Sequence, residues 1–166
     1  MNIYMLDREN RAIHKIKDNY GNTLFLFKNN ITNLSDFDLT NANLSGIIAE
    51  GLICMDTKFI NANLEGADLY MMMACYSDFT NANLVNADLC GSNCIGTIFR
   101  GANLTNANLG KDNIGGAVRL QEANLTQIKF DGIILQKAEY DDKTIFPKGL
   151  NPKDYGMKFV NSEDNS

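Results

Sequence analysis

A period of twenty residues, divided into four periods of five, constrains this chain more than any other feature. The segments that align are LSDFDLTNANLSGIIAEGLI (34–53), CMDTKFINANLEGADLYMMM (54–73), ACYSDFTNANLVNADLCGSN (74–93) and CIGTIFRGANLTNANLGKDN (94–113). Side chains on one face recur about every 3.6 residues in a helix and about every 2 residues in a strand, so neither element explains a period of five. A chain that turns a corner every five residues, and closes a square after four corners, satisfies both periods.

The longer period predicts a solenoid. Residues twenty positions apart would lie one coil above another, about 4.8 Å away, which is the distance at which parallel strands form hydrogen bonds. Every fifth residue then becomes a centre that points into the coil. We expect centres at this spacing from Leu34 through Ile114 to Arg119.

Side-chain size is similar along each face of the predicted coil. The second face carries large centres, which are Leu39, Phe59, Phe79 and Phe99. The first face carries small ones at Cys54 and Ala74, and there the inward residue two positions earlier is large, namely Leu52 and Met72. A close-packed interior requires this compensation of volumes.

Eight short motifs recur, and all but the one at 123–125 are in register with the centres: ANL at 42–44, 62–64, 82–84, 102–104, 107–109 and 123–125, and ADL at 67–69 and 87–89. On these motifs the sequence between residues 32 and 142 resembles the pentapeptide-repeat proteins, whose repeat is A-(D/N)-L-x-x. The resemblance implies an all-β fold, a right-handed quadrilateral β-helix of about five to six coils. It also implies that the centre and the residue two before it point inward, while the other three point outward.

We divide the chain into an N-terminal cap (1–30), the β-helix (31–142), a C-terminal cap (143–160) and a tail expected to be disordered (161–166). Residues 12–28 predict a β-hairpin around a turn that contains Gly21. A helix over 7–20 is the alternative, because Ile13, Ile16 and Tyr20 have near-helical spacing. The hairpin is the interpretation we favour.

Two irregularities are expected towards the C-terminus. The register slips near 115–122, after Asp112 and Arg119 have placed charges at nominally inward positions, so a bulge or loop is predicted there. Further on, Pro152 follows Asn151 and Gly156 comes shortly after, which predicts a short capping helix.

No residue pattern indicates catalysis or a cofactor. His14 is the only histidine, and no cysteine or carboxylate lies beside it in the sequence. Cys54 and Cys94 should point inward two coils apart, too far for a disulfide, and Cys75 and Cys90 should point outward from different faces. We therefore predict no catalytic, cofactor-binding or metal-binding residues and no small-molecule substrate, and expect that the protein is not an enzyme.

Charge and hydropathy limit which class of partner and which compartment we expect for this protein. Direct nucleic-acid binding needs a basic surface, and a net charge of -5 argues against one. We therefore expect no direct binding to nucleic acid. The opening MNIYMLDRENR lacks the apolar run of a signal peptide, and no stretch is long enough to span a membrane. We expect a cytoplasmic protein.

Between residues 31 and 109 the chain carries eight acidic side chains and two basic ones. Three of the acidic residues, Glu50, Asp68 and Asp88, fall on the fourth face and form a candidate acidic face. Solvation of the β-helix explains such charges without a further role. The alternative comes from the resemblance, which implies an acidic DNA mimic that modulates or protects a type II topoisomerase, gyrase, as some family members do.

Large apolar residues occupy outward positions on the first face and its corners, where other faces carry Asn, Thr and Asp. We call this set the apolar patch, and it comprises Ile53, Met55, Tyr70, Met71, Met73, Cys75, Tyr76 and Ile95. Exposed apolar surface of this kind is typical of interaction sites, and methionine-rich surface adapts to its partner. The sequence favours a scaffold that binds a protein partner, either another protein or a second copy of itself. Alternatively, the N-terminal segment covers the patch.

Overall fold

The computed structural model describes residues 15–26 and 33–161. Within these ranges the chain consists of strands, single bridges and turns, without a helix. The strands are β1 (Lys15–Asp18), β2 (Thr23–Leu26), β3 (Ala42–Asn43), β4 (Glu139–Tyr140) and β5 (Lys158–Phe159). His14 and residues 162–166 of the expected tail lie outside the described residues.

Parallel bridges join each coil to the next, and they form between residues that directly precede the centres. On the third face Asn63 bridges to Asn43 on one side and to Asn83 on the other. The backbone N–H of Leu64 donates to the carbonyl of Asn83 at 2.8 Å, and the N–H of Asn83 donates to the carbonyl of Ala62 at 2.9 Å. Similar ladders run along the other three faces, so the β-helix expected from the repeat is confirmed.

The corners explain why asparagine and glycine recur outside the core. The residue two positions after a centre adopts a positive φ, as at Asn61 (56°) and Asn81 (58°), a conformation that asparagine and glycine tolerate best. The residue before a centre fixes the same corner, since the Asn63 Oδ1 accepts the N–H of Glu65 at 3.2 Å. Local hydrogen bonding of this kind favours a turn over a continuing strand.

The core is a set of stacked side-chain columns. Phe79 lies between Phe59 and Phe99, with ring centroids 4.6 Å and 5.3 Å away and the rings nearly parallel. All three are buried, so the predicted second-face ladder is confirmed. Leu52 and Met72 are also buried beside the small centres of the first face, as the volumes predicted.

Buried hydroxyl groups donate hydrogen bonds to backbone carbonyls inside the coil. The Thr57 hydroxyl donates to the carbonyl of Leu34 at 2.6 Å, and the Thr97 hydroxyl donates to the carbonyl of Ala74 at 2.8 Å. Ser77 repeats the contact with the carbonyl of Cys54. These hydroxyls satisfy carbonyl groups that would otherwise be buried without a second partner.

The coils change register after Leu109, and two predicted centres are wrong. Asn93 bridges to Arg119 instead of Asn113, because the extra residues form an insertion loop at 110–117. Ile114 lies on that loop and is 82% exposed, so it is not a centre. Arg119 occupies the outward bridging position, and Leu120 is the buried centre beside it.

Strands cover both ends of the described coils. β1 pairs antiparallel with β2 and also with β3, so it lies against the third face of the first coil, where Ile16 is buried. The alternative prediction is a helix over 7–20, but the described residues 15–18 of that range form this strand. At the other end β4 pairs in parallel with β5.

The predicted C-terminal helix is wrong. Residues 151–156 form successive turns in which the N–H of Asp154 donates to the carbonyl of Asn151, and that of Gly156 to the carbonyl of Lys153. The segment is too short to offset the cost of helix nucleation. It also leads directly into β5, whose Lys158 N–H donates to the carbonyl of Ala138 at 2.9 Å.

Candidate functional site

The structure brings the apolar patch together on the first face of the β-helix. Its exposed members are Met55, Met71, Met73 and Tyr76, with 38%, 44%, 41% and 57% of their surface accessible. The half-buried members are Ile53, Tyr70, Cys75 and Ile95. The described part of the N-terminal segment pairs with β3 on the third face and not with these residues.

Backbone hydrogen bonds between coils fix the patch residues side by side. Ile53 bridges to Met73 in the ladder of the first face. At the corner that follows, the N–H of Tyr76 donates to the carbonyl of Ile95 at 2.9 Å. Because these contacts belong to the coil itself, the rigid backbone holds the patch in place.

Tyr76 depends on a glycine in the next coil. Its φ is 60°, the corner conformation, and its ring lies over Gly96, where any Cβ would collide with the ring edge. Gly96 has a φ of +65° as well, so two separate reasons favour glycine there. Gly66 has almost the same φ, +62°, but open space around the position of a Cβ.

We therefore expect Gly96→Ala to lower the free energy of unfolding by about 1–2 kcal/mol through the left-handed backbone, and also to displace the Tyr76 ring. Gly66→Ala carries the same backbone cost without the collision, so it is the matched control. Chemical denaturation of both variants measures the backbone term, and tyrosine fluorescence or NMR reports the ring. Equal spectra for the two variants would contradict the Tyr76 contact.

The insertion loop borders the patch and is anchored by a buried carboxylate. Asp112 accepts hydrogen bonds from the N–H groups of Ile114 and Gly116, and from the Tyr70 hydroxyl at 3.3 Å. Burial, followed by the Asp112 charge, raises the pKa of Tyr70. The sequence signal for this anchor was the charge of Asp112 at a nominally inward position. The spacing of the repeat did not predict that Asp112 contacts Tyr70.

The insertion loop also corrects the prediction for Cys90. That side chain leaves the coil outward, but it is buried because the insertion loop covers it, with Sγ 3.6 Å from the carbonyl oxygen of Lys111. Burial, followed by the neighbouring Asp88 charge, raises the pKa of the Cys90 thiol to about 11. A thiol in this state is a weak nucleophile at neutral pH.

The other cysteines are packing groups or lie on the patch. Cys54 and Cys94 are fully buried, and burial raises the pKa of both thiols, that of Cys94 to about 12. Cys75 is half-buried. Within residues 15–26 and 33–161, no group of His, Cys, Asp and Glu is arranged to hold a metal ion. The same ranges contain no helix that is long and apolar enough to cross a membrane.

The candidate acidic face has a structural explanation for two of its three carboxylates. Asp68 and Asp88 are bridge partners on the fourth face. Their Oδ1 atoms accept the N–H groups of Tyr70 and Cys90 at 3.1 and 2.9 Å, the same contact that asparagine makes at other corners. Glu50 is exposed on the preceding coil.

The repeat and the coil are both found in known proteins. A family model described as pentapeptide repeats, with 8 copies, matches residues 38–70 and 77–111. No curated protein sequence matches significantly. Among solved structures, alr5209, a pentapeptide repeat protein from Nostoc PCC 7120, is 30% identical. That alignment covers 65% of this chain and 84% of that chain, with a TM-score of 0.60.

Two further structures are less similar. The pentapeptide repeat protein Rfr23 from Cyanothece 51142 is 25% identical over 69% of this chain and 84% of that chain, with a TM-score of 0.37. AT2G44920, a pentapeptide repeat protein from the Arabidopsis thaliana thylakoid lumen, is 21% identical over 74% and 70%, with a TM-score of 0.47. On the matching repeats, and on the coil shared with the Nostoc protein, the chain belongs to the pentapeptide-repeat family.

Proposed function

We propose that this protein is a non-catalytic interaction module that binds a protein partner through the apolar patch on the side of its β-helix. The observation that carries the proposal is the exposure of Met55, Met71, Met73 and Tyr76 together on one face. Large apolar side chains that adjoin one another on a surface favour association, because covering them removes apolar area from water.

The other faces support this assignment by contrast. Their outward bridging positions are mainly Asn and Asp, as at Asn63, Asn83, Asp68 and Asp88. Those side chains form the corner hydrogen bonds, whereas methionine at position 73 cannot accept such a bond as strongly. The patch therefore replaces residues that help the fold with residues that expose apolar surface.

The double variant Met73→Asp with Tyr76→Asp tests the proposal. Both changes should leave the fold intact, since Asp68 occupies the equivalent bridging position and Asp56 has a φ of 55° at the equivalent corner. We expect loss of any partner captured by the wild-type protein, because two charges would be desolvated in the interface. Affinity capture from cell extract with quantitative mass spectrometry measures this, and sedimentation velocity tests for self-association.

The matched control is Ile134→Asp. Ile134 is 49% exposed and bridges to Asn108 on the fourth face, outside the patch. It should keep the partner, whereas retention of every captured protein by the double variant, with no change in sedimentation, would overturn the proposed function.

The alternative function, an acidic DNA mimic acting on gyrase, has weaker support. It draws on the net charge of -5 and on Glu50, Asp68 and Asp88, but the last two carboxylates already have a role in the corners. Inhibition or protection of gyrase in a supercoiling assay, lost in an Asp68→Asn and Asp88→Asn variant, would favour this alternative instead.

The cytoplasm remains the proposed compartment. The four cysteines are free thiols, which fits a reducing environment. The proposal requires no cofactor, metal ion or small-molecule substrate.

A further inference from the structure

We infer that the apolar patch receives a basic amphipathic segment of its partner, whose cations pair with carboxylates at the N-terminal edge of the patch. The inference rests on the proposed function and adds the chemistry of the partner. The relevant carboxylates are Asp36 and Asp56.

These two aspartates share one corner with Tyr76. The N–H of Asp36 donates to the carbonyl of Met55 at 3.0 Å, and the N–H of Asp56 donates to the carbonyl of Cys75 at 3.1 Å, so the three residues occupy successive coils. All three have φ values between 55° and 65°. Asp56 and Asp36 therefore lie one and two coils from Tyr76, or about 5 and 10 Å along the axis.

The carboxylates of Asp36 and Asp56 have no structural duty within the described residues. Both side chains are exposed, and neither carboxylate is a partner in the hydrogen bonds of the described coils. The salt bridges among described residues join Lys58 to Asp38, Lys143 to Glu122 and Lys158 to Glu139, and none involves these two. This corner differs from the fourth face, where Asp68 and Asp88 bond to the backbone.

Charge complementarity selects the occupant. The corner column from Asp36 through Tyr76 to Glu122 contains no lysine or arginine, and Glu50 lies one coil from Tyr70 at the other edge. Cations placed beside apolar side chains would meet carboxylates here, as in an amphipathic segment with lysine or arginine along its border.

Two labelled peptides of about 15 residues test the inference, one of leucine and lysine and one of leucine and glutamate with the same apolar face. Fluorescence anisotropy at low salt should show that the Leu/Lys peptide binds more tightly, by about tenfold. Met73→Asn with Tyr76→Asn should weaken that binding about tenfold without changing the charge. Asp36→Asn with Asp56→Asn should weaken it about fivefold.

Asparagine is suited to these changes, because it occupies equivalent corners at Asn61 and Asn81 with φ values of 56° and 58°. The control for net charge is Asp68→Asn with Asp88→Asn, which removes two charges from the fourth face and keeps the corner acceptors. Binding should stay within about twofold of wild type. Equal weakening by this control would overturn the assignment to Asp36 and Asp56.

The other outcomes separate this inference from the proposed function. If both peptides bind equally well, and neither binds the variant with Met73→Asn and Tyr76→Asn, the inference of a basic partner is overturned. The same result would still support the patch as a binding site. A wild-type dimer that this variant abolishes would overturn the inference in favour of a second copy. Failure of both peptides to bind would also overturn it, while the capture experiment with Met73→Asp and Tyr76→Asp still decides the proposed function.

Discussion

Phe79→Ala should lower the free energy of unfolding by about 3–5 kcal/mol. The Phe79 ring is fully buried between Phe59 and Phe99, at centroid distances of 4.6 and 5.3 Å. Alanine would leave a cavity between two coils that backbone ladders hold at fixed spacing, so the neighbours cannot close it. Urea denaturation followed by circular dichroism measures the loss.

Phe79→Leu is the matched control. Leucine already occupies this column at Leu39, and the replacement keeps most of the volume, so we expect a loss of about 1.5 kcal/mol or less. A Phe79→Ala protein as stable as Phe79→Leu would show that the column repacks, and would contradict a core of fixed spacing.

The regular coils were predictable because each pentapeptide determines its own geometry. The corner asparagines, the buried centre and the bridging residue lie within five positions of one another, so Asn61, Leu64 and Asn63 could be assigned from sequence. Stacking then follows from the twenty-residue period, because each coil pairs with one of the same length. No long-range information is needed for this part of the fold.

The irregular parts depend on contacts between residues distant in sequence. Ile114 keeps the five-residue spacing and is apolar, yet it lies on the insertion loop because Asp112 binds Tyr70, two coils away. Cys90 is buried for the same reason, since the cover comes from Lys111. Residues 151–156 have local helix signals, but the pairing of β5 with β4 determines their path.

The patch was identifiable as a departure from the repeat, but the structure was needed to assign the duties of the carboxylates near it. Asp68 directly precedes the centre Leu69, whereas Asp56 lies two residues after the centre Cys54. Asp68 accepts a backbone N–H, whereas the Asp56 carboxylate is exposed in the same corner column as Tyr76. The difference therefore follows from the position in the repeat, once the structure has shown which position bonds to the corner backbone.

Asp141→Ala should destabilise the C-terminal cap by about 1–3 kcal/mol. The buried Oδ1 of Asp141 accepts the N–H groups of Glu122, Lys143 and Thr144 at 2.9, 3.1 and 3.0 Å, and the Thr144 hydroxyl at 2.9 Å. Alanine would leave these donors without their acceptor. Urea denaturation at neutral pH measures the loss, and Asp142→Ala, at an exposed neighbour, is the control and should have little effect.

The same contact predicts a dependence on pH. Burial alone would raise the pKa of Asp141, but the hydrogen bonds from Glu122, Thr144 and Lys143 outweigh it, so the pKa in the folded protein lies below its ordinary value. A lowered pKa contributes stability above the unfolded value of about 3.9, and this contribution is lost as the pH falls through the folded value. The stability difference between wild type and Asp141→Asn should therefore be greatest at neutral pH and shrink below about pH 4. A difference that stays constant from pH 7 to about pH 3 would show that the charge of Asp141 does not hold this corner.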